Sequence, residues 1–185
     1  MTRVALALVH HPCLDKHGGI YTTSITNLDI HDIARAATTY GVDAFYVVTP
    51  VSAQRSMAEA ITGYWLGAGQ KRNPSRMVAM GIVHVVPAVQ DAIDAETKAL
   101  GSKPLVVVTS ARPQGTTSCA AMRERWSATP GALVLFGTGY GLAPEIVDAA
   151  DVVLEPLLGN AAKNGGYNHL SVRSAAAIFM DRLLG

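Results

Sequence analysis

Ala132-Leu133-Val134-Leu135-Phe136-Gly137-Thr138-Gly139-Tyr140-Gly141-Leu142 is an unbroken apolar run that stops on alternating glycines. A strand with no polar face is buried on both sides, the condition of a strand in a parallel sheet covered by helices. Glycines at 137, 139 and 141 let backbone N–H groups come close to a ligand and permit positive φ. A tight strand-to-helix turn uses the same residues. The dinucleotide fingerprint GxGxxG is broken by Leu142. It also normally follows the first strand of a chain, whereas this segment comes late.

Similar apolar runs lie on either side, at 4–9, 44–49, 78–86, 105–109 and 152–154. Helical stretches separate them. Residues 29–40 carry Ile30, Ile33, Ala34 and Ala37 on one stripe, with Gly41 as the stop. Further helices are expected at 52–67, 88–100, 118–127, 144–149 and 171–184. This alternation predicts an α/β fold, a mainly parallel sheet flanked by helices. No internal repeat or long linker divides the chain, so residues 1–185 read as one domain. The stretch 10–28 is long for a strand-to-helix connection, and such loops are usually functional or mobile. Residues 159–168, rich in Gly, Asn and Ala, read as a second loop beside the last helix.

The composition, 49% hydrophobic and 16% charged over 185 residues, suits a domain with a sizeable core. Cys13 and Cys119 have no metal-site spacing, which argues against a disulfide framework or a zinc site. Two unpaired thiols fit a reducing cytoplasm. The apolar start is too short for a signal peptide, and nothing approaches the ~20 apolar residues of a membrane span. A cytoplasmic protein without membrane contact is expected. The net charge is only +1, not the basic surplus of most nucleic-acid binders. Any nucleic-acid contact must therefore come from cations gathered in one place.

Three other segments can carry chemistry. Glu155-Pro156-Leu157-Leu158-Gly159, with Tyr167-Asn168-His169-Leu170-Ser171-Val172-Arg173 beyond it, offers an apolar wall for a flat ring. There Asn168 and Ser171 either present an amide and a hydroxyl to a ligand or cap the last helix. Asn27, Asp29 and His31 cluster at a helix start, and Arg35 shares a face with His31. A cap and a surface charge are the alternative reading. Lys71, Arg72 and Arg76 form the densest basic stretch, either a phosphate contact or a solvated loop.

Taken in order, these segments resemble the SPOUT superfamily of knotted RNA methyltransferases. Residues 27–42, NLDIHDIARAATTYGV, are similar to that family's first motif, an Asn-containing lead followed by IAR, small residues and GV. LVLFGTGYGL resembles the second, and EPLLG followed by LSVRSAAAI resembles the third, which reads like PMxG followed by LNVSVAAAI. The resemblance runs from Asn27 to the last helix, and relatives of this compact branch also occur joined to tRNA guanine-N1 methyltransferases. Thr138 stands where the second motif usually has Glu. Asp29 replaces the first motif's Asn, and Ser171 and Arg173 replace the third motif's Asn and Ser.

The resemblance implies a deep trefoil knot near the C-terminus, S-adenosylmethionine (SAM) as cofactor, a tRNA or rRNA substrate, and a homodimer that shares its active sites. Carried over, the cofactor residues are Thr109, Ser110 and Ala111; Phe136, Gly137, Thr138, Gly139, Gly141 and Leu142; and Glu155, Pro156, Leu157, Asn168, Leu170 and Ser171. Arg35 would orient or polarise the target, with Asp29 as candidate base and Asn27 beside them. His31 and His169 are weaker candidates for the base. Lys71, Arg72 and Arg76 would guide RNA, and no metal is expected. Two other functions remain open: a non-catalytic module of the same fold that binds cofactor or RNA, and a nucleotide-dependent oxidoreductase.

Overall fold

Valine, leucine and alanine alternate along the first strand, so neither of its faces is polar, and both are buried. Val4, Leu6 and Leu8 join one hydrophobic cluster, while Ala5, Ala7 and Val9 join the other. This is the period-two alternation of a pleated strand. In the computed structural model, which describes residues 2–112, 116–126 and 128–185, the chain order begins with β1 (Arg3–Val9), β2 (Cys13–Leu14), β3 (Ile20–Tyr21), α1 (Asn27–Thr39), β4 (Ala44–Val48), α2 (Ser52–Leu66), α3 (Pro74–Met80) and β5 (Val83–Val86). It continues with α4 (Val89–Leu100), β6 (Leu105–Val108), α5 (Cys119–Trp126), β7 (Gly131–Gly137), α6 (Pro144–Asp148), β8 (Val152–Val153), α7 (Ala161–Asn164) and α8 (Val172–Leu184).

Six strands form one sheet in the order β5-β4-β1-β7-β6-β8, every neighbouring pair parallel. Ile30 and Ile33 of α1 and Phe179 and Met180 of α8 are buried against one face, together with Met122 of α5. Val89 and Ala92 of α4 and Ile146 and Val147 of α6 pack on the other. Full burial of side chains such as Leu6, Leu8, Leu133 and Leu135 stabilises the fold by roughly 1.5–3 kcal/mol each. Polar groups tie the layers together. Glu96 of α4, 1% exposed, accepts from Arg3 Nε at 2.7 Å and from the Tyr46 hydroxyl at 2.8 Å. Asp43 and Asp151 each accept a backbone N–H at 2.8 Å, from Val4 and Val106.

The strand expected over 78–86 is shorter than its apolar run. Val78, Ala79 and Met80 belong to α3. Asn73 caps that helix by accepting from Arg76 N at 3.0 Å, Pro74 takes the first helical position, and Gly81 ends it. Only Val83–Val86 pairs with β4, as an edge strand. The loop 10–28 contains the β2–β3 hairpin, and the loop 159–168 contains α7. The end expected for the helix at 118–127 falls on Ser127, outside the described residues; α5 is described to Trp126.

The strands run parallel, so their C-terminal ends gather at one edge of the molecule, where open α/β sheets place their ligands. Beyond β8 the backbone is held on two sides. Leu154 N donates to Val108 O at 2.9 Å, while Glu155 N donates to Thr117 O at 2.9 Å. The segment therefore lies between the limb that leaves β6 and the limb that approaches α5.

Candidate active site

The glycine turn after β7 is shaped from beneath. Gly139 (φ 61°) and Gly141 (φ 104°) occupy the left-handed region, where a β-carbon is unfavourable. A Cβ at Gly139 would also strike the Tyr21 hydroxyl and Leu14 O, whereas one at Gly141 would stand in open space. Tyr140 N donates to Leu14 O at 3.0 Å, and Leu14 N donates to Gly141 O at 2.9 Å. The hairpin in the long first loop is thus the buttress of the turn.

A polar chain continues below it. His10 Nδ1 meets Thr23 Oγ1 at 2.8 Å, Thr23 bonds Thr138 Oγ1, and the Thr138 hydroxyl donates to Val9 O at 3.0 Å. With Thr138 donating onward and Thr23 donating to Thr138, the His10 proton is assigned to Nδ1. The buried Nε2 of His10 has no hydrogen-bond partner. Burial lowers the imidazole from 6.5 to about 4, against a smaller upward pull from Asp29, so the ring is neutral.

This turn, the end of β6 and the first turns of α8 enclose a cleft of about 680 Å³, within the range of small-molecule sites. Thr109, Ser110, Ala111, Phe136, Gly137, Thr138, Gly139, Gly141, Leu142, Leu157, Asn168 and Leu170 line it, as does Asp29. Glu155, Pro156 and Ser171 do not. Glu155 is exposed, with its N–H spent on Thr117, and Ser171 caps α8 by accepting from Ser174 N at 3.2 Å. Asn168 Nδ2 donates to Leu157 O and its Oδ1 accepts from Gly159 N, both at 2.9 Å, so its amide holds the 157–159 wall in place.

Sequence reading missed Thr23, Arg112, Val172, Ala175 and Phe179, which also line the cleft, as does His169, one of the weaker base candidates. The spacing of Val172, Ala175 and Phe179 along one helix stripe is a legible signal. The approach of Thr23 and Arg112 is not. Arg112 Nη2 donates to Tyr140 O at 3.2 Å, joining the β6 loop to the glycine turn.

Asp29 is 6% exposed. Its Oδ2 accepts from the Thr26 hydroxyl at 2.6 Å and its Oδ1 from Arg173 Nη1 at 2.8 Å. Arg173 also reaches Asp32 at 3.4 Å. Asn27 and Arg35 line a different space, a groove of about 660 Å³ between α1, α2 and α3 that also takes in His31, Trp65 and Arg76. Helical geometry explains the split. Asn27, His31 and Arg35 recur at intervals of four and share a face, while Asp29 is about half a turn away from it. Lys71 and Arg72 are exposed on the turn before α3.

Residues 3–185 match the family described as SAM-dependent RNA methyltransferase. The chain belongs to this family. A tRNA (guanine-N(1)-)-methyltransferase of Nitratidesulfovibrio vulgaris is 46% identical over 180 residues, which cover 97% of this chain and 41% of that protein. An uncharacterized protein of Aquifex aeolicus is 39% identical over 183 residues, 97% of this chain and 87% of its own length. The chain thus spans about two fifths of the guanine-N1 methyltransferases it matches. Among solved structures, the SpoU methyltransferase AviRb of Streptomyces viridochromogenes, in complex with AdoMet, is similar with a TM-score of 0.55 and 17% identity, over 99% of this chain and 57% of that one. The six-stranded sheet is accordingly that of the SPOUT methyltransferases, and the oxidoreductase alternative is set aside.

The cleft suits the family's cofactor. Leu142, Leu157 and Phe179 are almost wholly buried, and half-exposed Leu170 joins them as apolar wall for a flat ring. The glycine turn adds main chain to the lining, and apart from Gly141 and its chain neighbours nothing lies within 4 Å of where a Cβ at Gly141 would stand. Among the described residues no group of His, Cys, Asp and Glu has the makings of a metal site, and no helix is long and apolar enough to cross a membrane.

Proposed function

We propose that this chain methylates RNA, with tRNA the leading class, and that the cleft between the glycine turn and α8 holds SAM. The observation that carries this reading is the convergence in one cleft of the β6 loop, the glycine turn and the 157–170 wall, with the Asp29 carboxylate beside them. The adenine would lie against Leu142, Leu157, Leu170 and Phe179, with main-chain groups of the glycine turn along its edge. When bound there, SAM supplies a methyl group on a cationic sulfur, open to in-line attack by a lone pair of the RNA.

The chain's own residues must then place the nucleophile and dispose of its proton. Asp29 is the carboxylate in the cleft lining. Thr26 and Arg173 hold it in one orientation, and its remaining lone pairs can take a proton from a ring nitrogen. Arg35 is exposed and outside this cleft. It serves the reaction in a homodimer, where it faces the partner's cleft. Exposed Leu158 and Leu170 beside the cleft support an interface there. The hydrogen bonds on both sides of residues 154–155 support a threaded, knotted C-terminal region within one domain spanning 1–185. The two cysteines, neither in a disulfide, support a cytoplasmic location.

The test is methyl transfer from labelled SAM to total tRNA and to rRNA, alongside calorimetric titration of SAM. Incorporation into tRNA with saturable SAM binding is the expected result. SAM binding without transfer to either RNA rejects the catalytic reading, and absence of SAM binding rejects the cleft.

A further inference from the structure

The groove between α1, α2 and α3 is separate from the cofactor cleft and is constructed around an aromatic pair. Tyr64 and Trp65 meet edge to face, with centroids 5.0 Å apart, and Tyr64 is 43% exposed. Gly69 seats them. A Cβ there would come within 2.7 Å of the Trp65 ring and 2.9 Å of the Tyr64 ring, so only glycine lets the turn close on the pair. The Arg76 guanidinium lies 4.7 Å from the Trp65 ring centre, a cation–π contact that fixes both planes. Met57, Ile61 and Leu28 supply apolar wall.

The charge of this groove is unbalanced. Arg35 and Arg76 line it, and neither has a carboxylate within ion-pair distance among the described residues. Asp32, the acid in the lining, is engaged by Arg173 at 3.4 Å. Lys71 and Arg72 stand on the adjoining turn. A chain with net charge +1 has therefore gathered four cations around one aromatic groove.

Trp65 is held on a further side by His31. Its indole N–H donates to His31 Nε2 at 3.3 Å, so the neutral His31 ring carries its proton on Nδ1. The groove thus combines exposed aromatic surface with arginines that no carboxylate pairs among the described residues. Single-stranded RNA brings the complements: π faces and phosphates.

We propose that the α1–α2–α3 groove binds an unpaired nucleotide of the RNA substrate, its base against the exposed Tyr64 ring that the Trp65–Arg76 pair holds edge to face, and its phosphate met by Arg35. This rests on RNA being the substrate but not on which atom is methylated.

The test uses the full chain and two seven-nucleotide single-stranded probes, oligoriboadenylate and an abasic oligomer of equal length. Trp65 emission should fall saturably as oligoriboadenylate is added, and Trp65→Phe should abolish that change. Arg76→Ala should weaken oligoriboadenylate binding on the order of tenfold, as should removal of the bases. SAM affinity, measured by calorimetry on the same samples, should stay within about twofold because the cofactor cleft is elsewhere. Arg76→Ala carries the test should Trp65→Phe fold poorly. Equal binding of the abasic oligomer overturns the proposal in favour of a phosphate-only surface. Emission that follows protein concentration rather than RNA overturns it in favour of a second copy that fills the groove instead of bordering it at Arg35. Loss of SAM binding in the wild type is a separate failure, of the cleft assignment.

Discussion

Asp29 and Arg173 are 144 positions apart in the chain, and their side chains meet at 2.8 Å. Each departs from the motif it belongs to, and the structure makes the two departures one feature: a carboxylate replaced an amide where an arginine replaced a hydroxyl. Removing only Arg173 leaves a 9%-exposed carboxylate with Thr26 as its remaining partner. Because Arg173 is 31% exposed, the cost should fall below that of breaking a fully buried pair, at about 2 kcal/mol. Urea unfolding of Arg173→Ala measures this, and the double change Asp29→Asn with Arg173→Ser should recover most of the loss. His10 makes a pH-dependent contribution. Its folded value of about 4 lies below the free value of 6.5, so folding favours the neutral ring. Its share of stability is complete above about pH 6.5 and is lost as pH falls through about 4, roughly 3 kcal/mol in all. Unfolding midpoints at pH 7.5 and 4.5 should therefore converge in His10→Gln relative to wild type. Neither pairing was legible in the sequence, because hydrogen bonds between distant segments leave no periodicity. The face shared by Asn27, His31 and Arg35 was legible, since four-residue spacing belongs to the helix itself.

Among the elements, the central strands were legible because their burial on both faces demands uninterrupted apolar residues. The same signal misled at 78–86, where Val78, Ala79 and Met80 extend an apolar run but are the buried end of a short helix. The Asn73-Pro74 pair was the better guide, a cap followed by a residue preorganised for the first turn. The β2–β3 hairpin has two residues per strand, too few for alternation to register. That hairpin nevertheless decides how the glycine turn tolerates change. Gly141→Ala meets no neighbour and should cost only the left-handed backbone penalty, about 1–2 kcal/mol. Gly139→Ala adds a collision with Tyr21 and Leu14 from the hairpin. It should lose more stability and more SAM affinity than Gly141→Ala, and Gly139→Val should abolish binding. Thermal unfolding and SAM calorimetry on the three variants check the ranking; equal losses at 139 and 141 would show that the hairpin does not support the turn.

On the scale of the whole molecule, the weak net charge hides a polar distribution. Arg35, Lys71, Arg72 and Arg76 border one groove, while Lys103 precedes β6 at the other end of the sheet. RNA affinity should fall with salt at a log–log slope no steeper than about −2 if Arg35, Lys71 and Arg72 meet phosphates of a single strand. Lys71→Ala should make the slope shallower by about 0.7, and Lys103→Ala should leave it unchanged. The placement of Arg35 outside the cofactor cleft of its own chain leads to a stricter test of shared sites. Arg35→Ala should lose methyl transfer while SAM affinity stays near wild type, whereas Gly139→Val should lose SAM binding. If each site needs the cleft of one copy and the arginine of the other, equal mixing places half the chains' dimers in the mixed form, with one intact site of two. Transfer activity should then return to about one quarter of wild type after subunit exchange. An inactive mixture, in which mass spectrometry of the intact dimers shows that mixed dimers have formed, means that Arg35 acts on the cleft of its own chain or on none.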